Sequence, residues 1–318
     1  RGMGALEYFP NLFKSKNTDS HYLNLSNLTD LVLEVLNAKN TIKGNLRSDK
    51  TNVIESIIKI TSSAGGARAK AVILFNPLTK EISGGYKGIR KGFEHYLIKI
   101  DGVHSDFDLF KNYGKIEYAY YLMAKKAGIN ISNSELITDG NKSHFLTRRF
   151  DREDNGEKHH VLTWACLEHY SDSSMLGYEN LFDTLDKLKC DKTQFKELFR
   201  RMIFNVLTKN TDDHTRNFSF IMDNNGDWKL SPAYDLVYTY QKDDLQNFEH
   251  KLSVNGERFS ISIEDIFAVA KTYDVPSPSS IFRDVKNSVN EWEEWANEAG
   301  LPLEQTKAIH STFSKIDL

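Results

Sequence analysis

The chain has 318 residues, of which 40% are hydrophobic and 27% are charged, and its formal net charge is -3. This composition is typical of a globular protein, and the length exceeds what one hydrophobic core usually fills, so two domains are expected. The small net charge gives no reason to expect a nucleic-acid-binding surface over the whole chain, although it leaves local basic patches open.

Two further features concern the compartment. No apolar run approaches the about 20 residues of a membrane span, and Cys166 and Cys190 lack metal-type spacing, so a cytoplasmic protein with reduced thiols is predicted. The N-terminus shows no signal-peptide pattern and reads like the middle of a folded segment. We therefore expect that a natural N-terminal portion is missing or that a partner supplies it.

The first half of the chain mixes helical and strand-like patterns. In order, they predict helices within 22–60, a turn-rich element at 61–70, and strands at Ala71–Phe75 and Tyr96–Ile100. A helix at 115–127 that stops at Gly128 and a strand at Phe145–Phe150 follow. A polar turn at Asp151–Gly156 follows, and we interpret it as the connection between two lobes.

The second half is mainly helical. A strong helical pattern from Phe195 to Leu207 leads into a hairpin made of Phe218–Met222 and Trp228–Leu230, and helices with Trp292 and Trp295 follow a loop at 276–280. The order predicts an α+β, bilobal, protein-kinase-like fold. Residues 1–150 would form a smaller mixed N-lobe and residues 151–318 a mainly helical C-lobe.

The segment around the hairpin carries the chemistry. Asp212 is followed five positions later by Asn217, and the hairpin then delivers Asp235. Phosphoryl transfer needs this set of groups, because one carboxylate orients the attacking hydroxyl while an amide oxygen and a second carboxylate hold Mg²⁺ on the phosphates. The pattern thus predicts Asp212 as the catalytic residue and Asn217 and Asp235 as metal ligands.

Two neighbours of Asp212 leave an alternative open. We favour a supporting role for His214, in which it positions the loop through backbone hydrogen bonds. A metal-hydrolase site would instead use Asp213 and His214 as metal ligands together with Asp212 and Asp235. No His-x-x-x-His pair accompanies these residues.

The N-terminal half offers candidate nucleotide contacts. Lys99 lies on a predicted strand, from which its ammonium group would reach the ATP phosphates, and Glu117 on the next helix would hold it as an ion pair. The loop at 62–66 contains Ser63, Gly65 and Gly66, and its glycines would allow backbone N–H groups to approach a phosphate. Its hydroxyls are also candidate phosphoacceptors.

The chain resembles the HipA-type serine/threonine kinases, which are toxins of bacterial toxin–antitoxin pairs. The resemblance runs over nearly the whole chain. It is sharpest in three blocks: Ser63–Lys70, Arg149–Arg152, and Asn210–Asn217 together with Ser231–Leu236.

The resemblance implies roles by position. Asp212 would be the catalytic aspartate, Asn217 and Asp235 would bind Mg²⁺, and Lys99 would contact the ATP phosphates. The adenosine site would be lined by Phe150, Asp151 and Tyr234. Ser63 would be the inhibitory autophosphorylation site.

The resemblance also implies partners. The substrate would be a protein, of the aminoacyl-tRNA synthetase class, and its phosphorylation would halt translation. A small helix-turn-helix antitoxin similar to HipB would bind the chain and link it to operator DNA, and no membrane partner is expected. Most of the family's small N-terminal subdomain is missing here, so either a separate short protein would supply it or the chain would be a truncated form.

Two other functions remain open from the residues alone. A small-molecule phosphotransferase of the antibiotic-kinase kind shares the arrangement of Asp, Asn and Asp. A non-catalytic nucleotide-binding scaffold in a repressor complex is the third possibility, and the presence of Asp212, Asn217 and Asp235 argues against it.

Overall fold

The computed structural model describes residues 4–5, 22–23, 70–84, 91–101, 112–153, 155–173, 175–241 and 248–318. Within this part, the chain divides into two compact units. The first comprises described residues of Arg1–Gly114 and of Asn133–His159, and the second comprises Lys115–Ser132 and His160–Leu318.

The first unit is built on an antiparallel sheet. Its strands are β1 (Tyr22–Leu23), β2 (Lys70–Phe75), β3 (Ile82–Gly84), β4 (Glu94–Lys99), β5 (Ser134–Asp139) and β6 (Lys142–Arg148), in the spatial order β1-β3-β2-β4-β6-β5. β2 and β4 pair along their whole length, from Lys70 opposite Lys99 to Phe75 opposite Glu94. The near-continuous apolar sequence of β2 is typical of a central, buried strand.

The turn after β2 follows from its sequence. The Asn76 side chain accepts hydrogen bonds from the backbone N–H groups of Leu78 and Thr79, at 3.0 and 3.2 Å. An asparagine that bonds its own following backbone in this way stabilises a turn, as the Asn-Pro sequence predicted.

The second unit contains most of the helices. They are α1 (Tyr113–Lys126, of which residues 115–126 belong to this unit), α2 (Trp164–Leu167), α3 (Tyr178–Lys187), α4 (Lys192–Thr208), α5 (Ile263–Thr272), α6 (Pro278–Asn290), α7 (Trp292–Glu298) and α8 (Leu303–His310). Helix α1 ends as predicted, because Gly128 has a φ of 80°, a left-handed conformation that glycine adopts at little cost.

Helix α4 is the centre of this unit. Every residue from Arg201 to Thr208 is buried, so the helix has no solvent-facing side over its last two turns. Tyr120 packs edge-on against Phe204 and Trp292, which ties α1 and α7 to α4. A helix end that is buried on all sides provides a rigid base for the loop that follows it.

The second unit also contains a small antiparallel sheet. β7 (His160–Thr163), β8 (Ser219–Met222) and β9 (Trp228–Leu230) are hydrogen-bonded in that order. β8 and β9 form the predicted hairpin, in which Phe220 pairs with Leu230 and Met222 with Trp228. The Asp223 carboxylate accepts from the N–H groups of Asn225 and Asp227 and closes the turn.

Three expectations differ from the structure. Tyr22–Leu23 is a strand and not part of a helix, and the remainder of 22–60 lies outside the described residues. The predicted loop at 276–280 is shorter, because Pro278 supplies the first turn of α6, where its missing N–H costs nothing. The two units do not separate by one cut after residue 150, since residues 115–132 group with the second unit.

Of the helices that the structure describes, none has both the length and the apolar character needed to span a bilayer. Cys166 and Cys190 are both free thiols.

Candidate active site

The candidate site begins where α4 ends. Lys209 has a φ of 57°, and this left-handed residue turns the chain out of the helix. The Tyr120 hydroxyl donates to the carbonyl of Thr208 and satisfies an acceptor in the last turn of the helix. The loop from Asn210 to Asn217 thus leaves a fixed helix end in a fixed direction.

The backbone of Asp212 is held on both sides. Its N–H donates to Thr239 Oγ1 at 3.0 Å, and its carbonyl accepts from Asn217 Nδ2 at 2.8 Å. The carboxylate itself is 42% exposed, and His214 Nε2 lies 3.9 Å from its Oδ2. The chain therefore fixes the backbone of Asp212 while its side chain stays accessible to solvent.

Asn217 and Asp235 meet at one small cavity, of about 10 Å³, in the second unit. Because the Asn217 amide nitrogen donates to the Asp212 carbonyl, its Oδ1 is the atom left for a cation. Asp235 has a φ of 54°, a left-handed conformation that aspartate tolerates better than most residues. An amide oxygen and a carboxylate are oxygen ligands of the kind that Mg²⁺ prefers, so these residues fit the predicted metal.

The electrostatics of Asp212 agree with a base. Desolvation in the crowded loop raises its pKa, and the negative charges of Asp213 and Asp235 act in the same direction. The positive charges of His214 and Lys251 oppose this shift and lower the pKa. A raised pKa makes a carboxylate a better proton acceptor near neutral pH.

The side chain of His214 bonds to the backbone of its own loop. Its Nδ1 accepts a hydrogen bond from the N–H of Arg216 at 3.2 Å, so the ring caps the short 3₁₀ helix Thr215–Asn217. This cap fixes the turn that carries Asn217 toward the Asp212 carbonyl.

Asp213 is a structural anchor, a role that the sequence did not reveal. Its buried carboxylate accepts from the hydroxyl of Tyr178 at 2.8 Å and from the N–H of Lys251 at 2.8 Å, and it lies 3.0 Å from Nδ1 of His250. Asn205 on α4 donates to the Tyr178 hydroxyl in turn. Asp213 thus ties the loop to α3, to α4 and to residues 250–252.

The metal-hydrolase alternative does not fit this geometry. Asp213 would have to leave its hydrogen bonds to act as a ligand. Across the described part of the chain, no three His, Cys, Asp or Glu side chains are arranged to hold a metal ion together.

Tyr234 lines the same small cavity as Asn217 and Asp235. Its hydroxyl bonds to Ser219 Oγ at 2.5 Å and donates to the carbonyl of Arg216 at 2.8 Å, and burial raises its pKa. The Tyr234 hydroxyl thus joins the β8–β9 hairpin to the loop Asn210–Asn217. The predicted contact to adenosine would therefore fall to the aromatic ring of Tyr234.

Lys99 and Glu117 belong to different units. Lys99 lies on β4 opposite Phe145, and its ammonium nitrogen is 5.8 Å from the centroid of that ring. Glu117 lies on α1 and is only 3% exposed. The ion pair between them stays a prediction.

Asp151 belongs to a buried cluster of ion pairs. Its carboxylate is buried and accepts from Arg149 through two hydrogen bonds, at 2.9 and 2.7 Å, from Arg152 at 3.1 Å and from the N–H of Gly4 at 2.8 Å. Burial alone would raise the pKa of Asp151, but the hydrogen bonds and charges of the two arginines outweigh it and lower the pKa. Oδ2 accepts three of these four bonds, and the Asp151 side chain is only 1% exposed, so the contact to a ribose stays a prediction.

The other predicted nucleotide contacts stay predictions. Phe150 directly precedes the buried aspartate and is half-buried itself. Ser63, Gly65 and Gly66 lie outside the described residues.

The fold is α+β and kinase-like. The described part of the first unit is an antiparallel sheet, and the second unit is mainly helical and holds the loop and hairpin with Asp212, Asn217 and Asp235. The profile of the HipA-like C-terminal domain matches residues 62–315 of the chain. The chain belongs to this family, as its sequence motifs predicted.

Two curated relatives match parts of the chain. A putative kinase of Haemophilus influenzae is 29% identical over 147 residues, which cover 38% of this chain and 40% of that protein. The serine/threonine-protein kinase toxin HipA of Shewanella oneidensis is 26% identical over 160 residues, which cover 43% of this chain and 36% of the toxin. The matches thus span less than half the length of these relatives.

A solved structure matches more of the chain. It is the complex of HipA and HipB of Shewanella oneidensis with its operator DNA, with a TM-score of 0.62 and 18% identity, and the match covers 97% of this chain and 72% of the solved one. At this identity the likeness establishes the fold.

Proposed function

We propose that the protein is an ATP- and Mg²⁺-dependent serine/threonine kinase that phosphorylates proteins. The observation that carries the proposal is the arrangement at the end of α4. Asn217 Nδ2 donates to the Asp212 carbonyl, Asn217 and Asp235 line one cavity, and the Asp212 side chain is partly exposed. Membership in a family that includes a named kinase toxin supports it.

In this mechanism each residue has one task. The Asp212 carboxylate orients the acceptor hydroxyl and takes its proton as the phosphate is transferred. Asn217 Oδ1 and the Asp235 carboxylate would hold Mg²⁺, which, when bound, neutralises charge on the phosphates. Lys99 would contact the phosphates from the first unit, and Phe150 and the ring of Tyr234 would contact the adenosine.

The proposal extends to autophosphorylation on Ser63 within the Ser/Gly-rich loop. A phosphate there adds about two negative charges and would exclude the loop from a site that binds phosphates. To test this, the protein is incubated with radiolabelled ATP and followed by intact-mass spectrometry. We expect the unmodified protein to gain one phosphate and the Ser63→Ala variant to gain none. Label that appears on a small alcohol but never on protein would instead identify a small-molecule phosphotransferase.

The biological role we propose is that of a toxin in a toxin–antitoxin pair. The HipA relative supports a helix-turn-helix antitoxin similar to HipB as partner, with operator DNA reached only through that antitoxin. The substrate would be a translation component of the aminoacyl-tRNA synthetase class. Expression of the chain alone should stop growth and protein synthesis, and coexpression of the adjacent antitoxin should restore both.

Replacement of Asp235 by Asn should raise the Mg²⁺ concentration needed for half-maximal phosphate transfer by at least about tenfold, because a neutral amide replaces a charged ligand of a hard cation. A Mg²⁺ titration of the labelling rate at saturating ATP measures this. Asp223→Asn in the hairpin turn is the matched control, since this carboxylate only accepts from turn N–H groups. An unchanged Mg²⁺ dependence in Asp235→Asn would remove Asp235 from the metal site.

The acid limb of the pH–rate profile should respond to Lys251. Asp212 must be ionised to act as a base, so the rate falls as the pH drops through its pKa. Because the charge of Lys251 lowers that pKa, Lys251→Met should move the acid limb to higher pH, and Lys251→Arg should leave it in place. Labelling rates measured across the pH range check this, and coincident profiles for Lys251→Met and the unmodified protein would contradict it.

A further inference from the structure

The segment that leads into Asp235 is held by a buried arginine of α4. Arg201 is 2% exposed, and its Nη2 donates to the carbonyl of Ser231 at 2.7 Å. The same nitrogen donates to the carbonyl of Asn130, shortly after the end of α1, at 3.4 Å. All of these residues belong to the second unit. One guanidinium thus bridges two backbone segments just before Asp235.

Backbone bonds join the same two segments. The N–H of Ala233 donates to the carbonyl of Asn130 at 2.7 Å, and Ile131 pairs with Ala233 in an isolated parallel bridge. Ser231 is tied in addition to β8, because its N–H donates to the carbonyl of Ser219 at 2.8 Å. Residues 231–233 are therefore bonded to β8, to the chain after α1 and, through Arg201, to α4.

The position of Arg201 is itself fixed by Glu197, one turn earlier on α4. Nε of Arg201 donates to Glu197 Oε1 at 2.7 Å, and the N–H of Asn130 donates to the same oxygen at 3.1 Å. A guanidinium can bond a carboxylate and two carbonyls at once because its donors form a planar fork, which a lysine ammonium does not reproduce. Stability alone does not require such a buried pair, since apolar side chains of similar volume often replace one without loss. The backbone that Arg201 holds explains the pair better.

Asp235 needs support of this kind. Its φ of 54° is a left-handed conformation, which a residue other than glycine keeps only where the surrounding structure holds the chain. Arg201 lines the same small cavity as Asn217 and Asp235. A shift of residues 231–233 would move Asp235 relative to Asn217, and the near-octahedral geometry that Mg²⁺ demands tolerates little displacement of a ligand.

We propose that Arg201 is a positioning residue for the metal site, which holds residues 231–233 so that Asp235 keeps its place in the cavity that it shares with Asn217. In this role Arg201 acts through the backbone of Ser231 and not by contact with the cation. The inference rests on the proposed kinase function and adds to it the group that keeps one metal ligand in place.

The test measures metal binding without catalysis. Mn²⁺ is the probe, and its dissociation constant is read from the EPR signal of the free ion. Arg201→Lys keeps the charge next to Glu197 but loses the fork of donors, so the dissociation constant should rise by about tenfold, the lower end of the range for groups that hold metal ligands in place. Arg200→Lys, at the neighbouring position of α4, is the matched control. It should leave Mn²⁺ binding unchanged, because Arg200 contacts Ala127 and Asp284 instead.

A double-variant cycle separates positioning from a general loss of structure. If Arg201 acts through Asp235, Arg201→Lys should change the Mn²⁺ dissociation constant by less than about twofold in the Asp235→Asn background, the usual scatter of such cycles. Glu197→Gln removes the charge of the ion pair but leaves the bond from Arg201 to Ser231. Its stability to denaturant should therefore fall while its Mn²⁺ binding stays unchanged.

A second variant covers the case in which Arg201→Lys does not fold. Arg201→Met combined with Glu197→Met replaces the whole pair by apolar side chains of similar size, which proteins often tolerate. This double variant should fold and bind Mn²⁺ about tenfold more weakly than the unmodified protein.

The outcomes separate the two proposals. A folded Arg201 variant that binds Mn²⁺ as tightly as the unmodified protein would overturn the positioning role. An equal loss of binding in Arg200→Lys, or an effect of full size that persists in the Asp235→Asn background, would overturn it as well. In each of these cases, phosphate transfer by the unmodified protein would leave the kinase function standing. An unmodified protein that neither binds Mn²⁺ nor transfers phosphate would instead overturn the kinase function.

Discussion

Asp212→Asn is expected to lower the rate of phosphate transfer by about 10²–10⁴-fold, the range of a lost general base. The asparagine keeps the size of the side chain, and the hydrogen bonds of the Asp212 backbone to Thr239 and Asn217 do not involve the carboxylate. The loop should therefore keep its conformation, and only proton acceptance should be lost. Radiolabel incorporation and the affinity for ATP, measured side by side, test this.

The control for this substitution is Asp227→Asn. Asp227 is an exposed aspartate of the hairpin turn, and its hydrogen bonds to Asp223 use its backbone N–H and carbonyl. The Asp227→Asn variant should transfer phosphate at the rate of the unmodified protein. Labelling of Asp212→Asn within about twofold of the unmodified rate would mean that Asp212 is not the base, since a lost general base costs at least about 100-fold.

Asp151→Asn is expected to lower the free energy of unfolding of the first unit by about 3–5 kcal/mol, the cost of breaking a buried ion pair. The substitution leaves Arg149 and Arg152, which are both buried, without the carboxylate that neutralises them. Denaturant unfolding at neutral pH measures the loss. Glu153→Gln breaks the exposed pair with His159 in the same unit and should cost about 1 kcal/mol or less.

The effect of Asp151 depends on pH in a defined direction. The pKa of Asp151 is lower in the folded state than in the unfolded state, where it is about 4. Its contribution to the free energy of unfolding is therefore complete above about pH 4 and is lost as the pH falls through the lower pKa of the folded state. The difference in stability between the unmodified protein and Asp151→Asn should therefore shrink below about pH 4. A constant difference down to pH 2 would contradict the proposed cluster.

Local patterns predicted most of the elements near the site. The apolar run of β2, the 3.6-residue period of α4 and the hairpin after Asn217 each specify their structure over a few residues, and the structure confirms them. The meeting of Asn217 and Asp235 also followed from the sequence, because a hairpin returns the chain to its starting point.

The supporting network could not be predicted in the same way. Tyr178 lies 35 residues before Asp213 and His250 lies 37 residues after it, so no local pattern links them. Asp213 also has the residue type and place of a metal ligand, and only its burial distinguishes the two roles. The Arg149–Asp151 pair could not be predicted from strand alternation either, because β6 ends at Arg148 and Phe150 and Asp151 form a turn.

The anchoring of the catalytic loop has a consequence for synthesis on the ribosome. The loop is held by Tyr178, which is made before it, but also by the N–H groups of Lys251 and Leu252, which are made some 40 residues later. Ser314 then donates to the carbonyls of Val206 and Leu207 at the end of α4. A nascent chain that already contains every catalytic residue thus still lacks the contacts that fix them, and truncated translation products should be inactive.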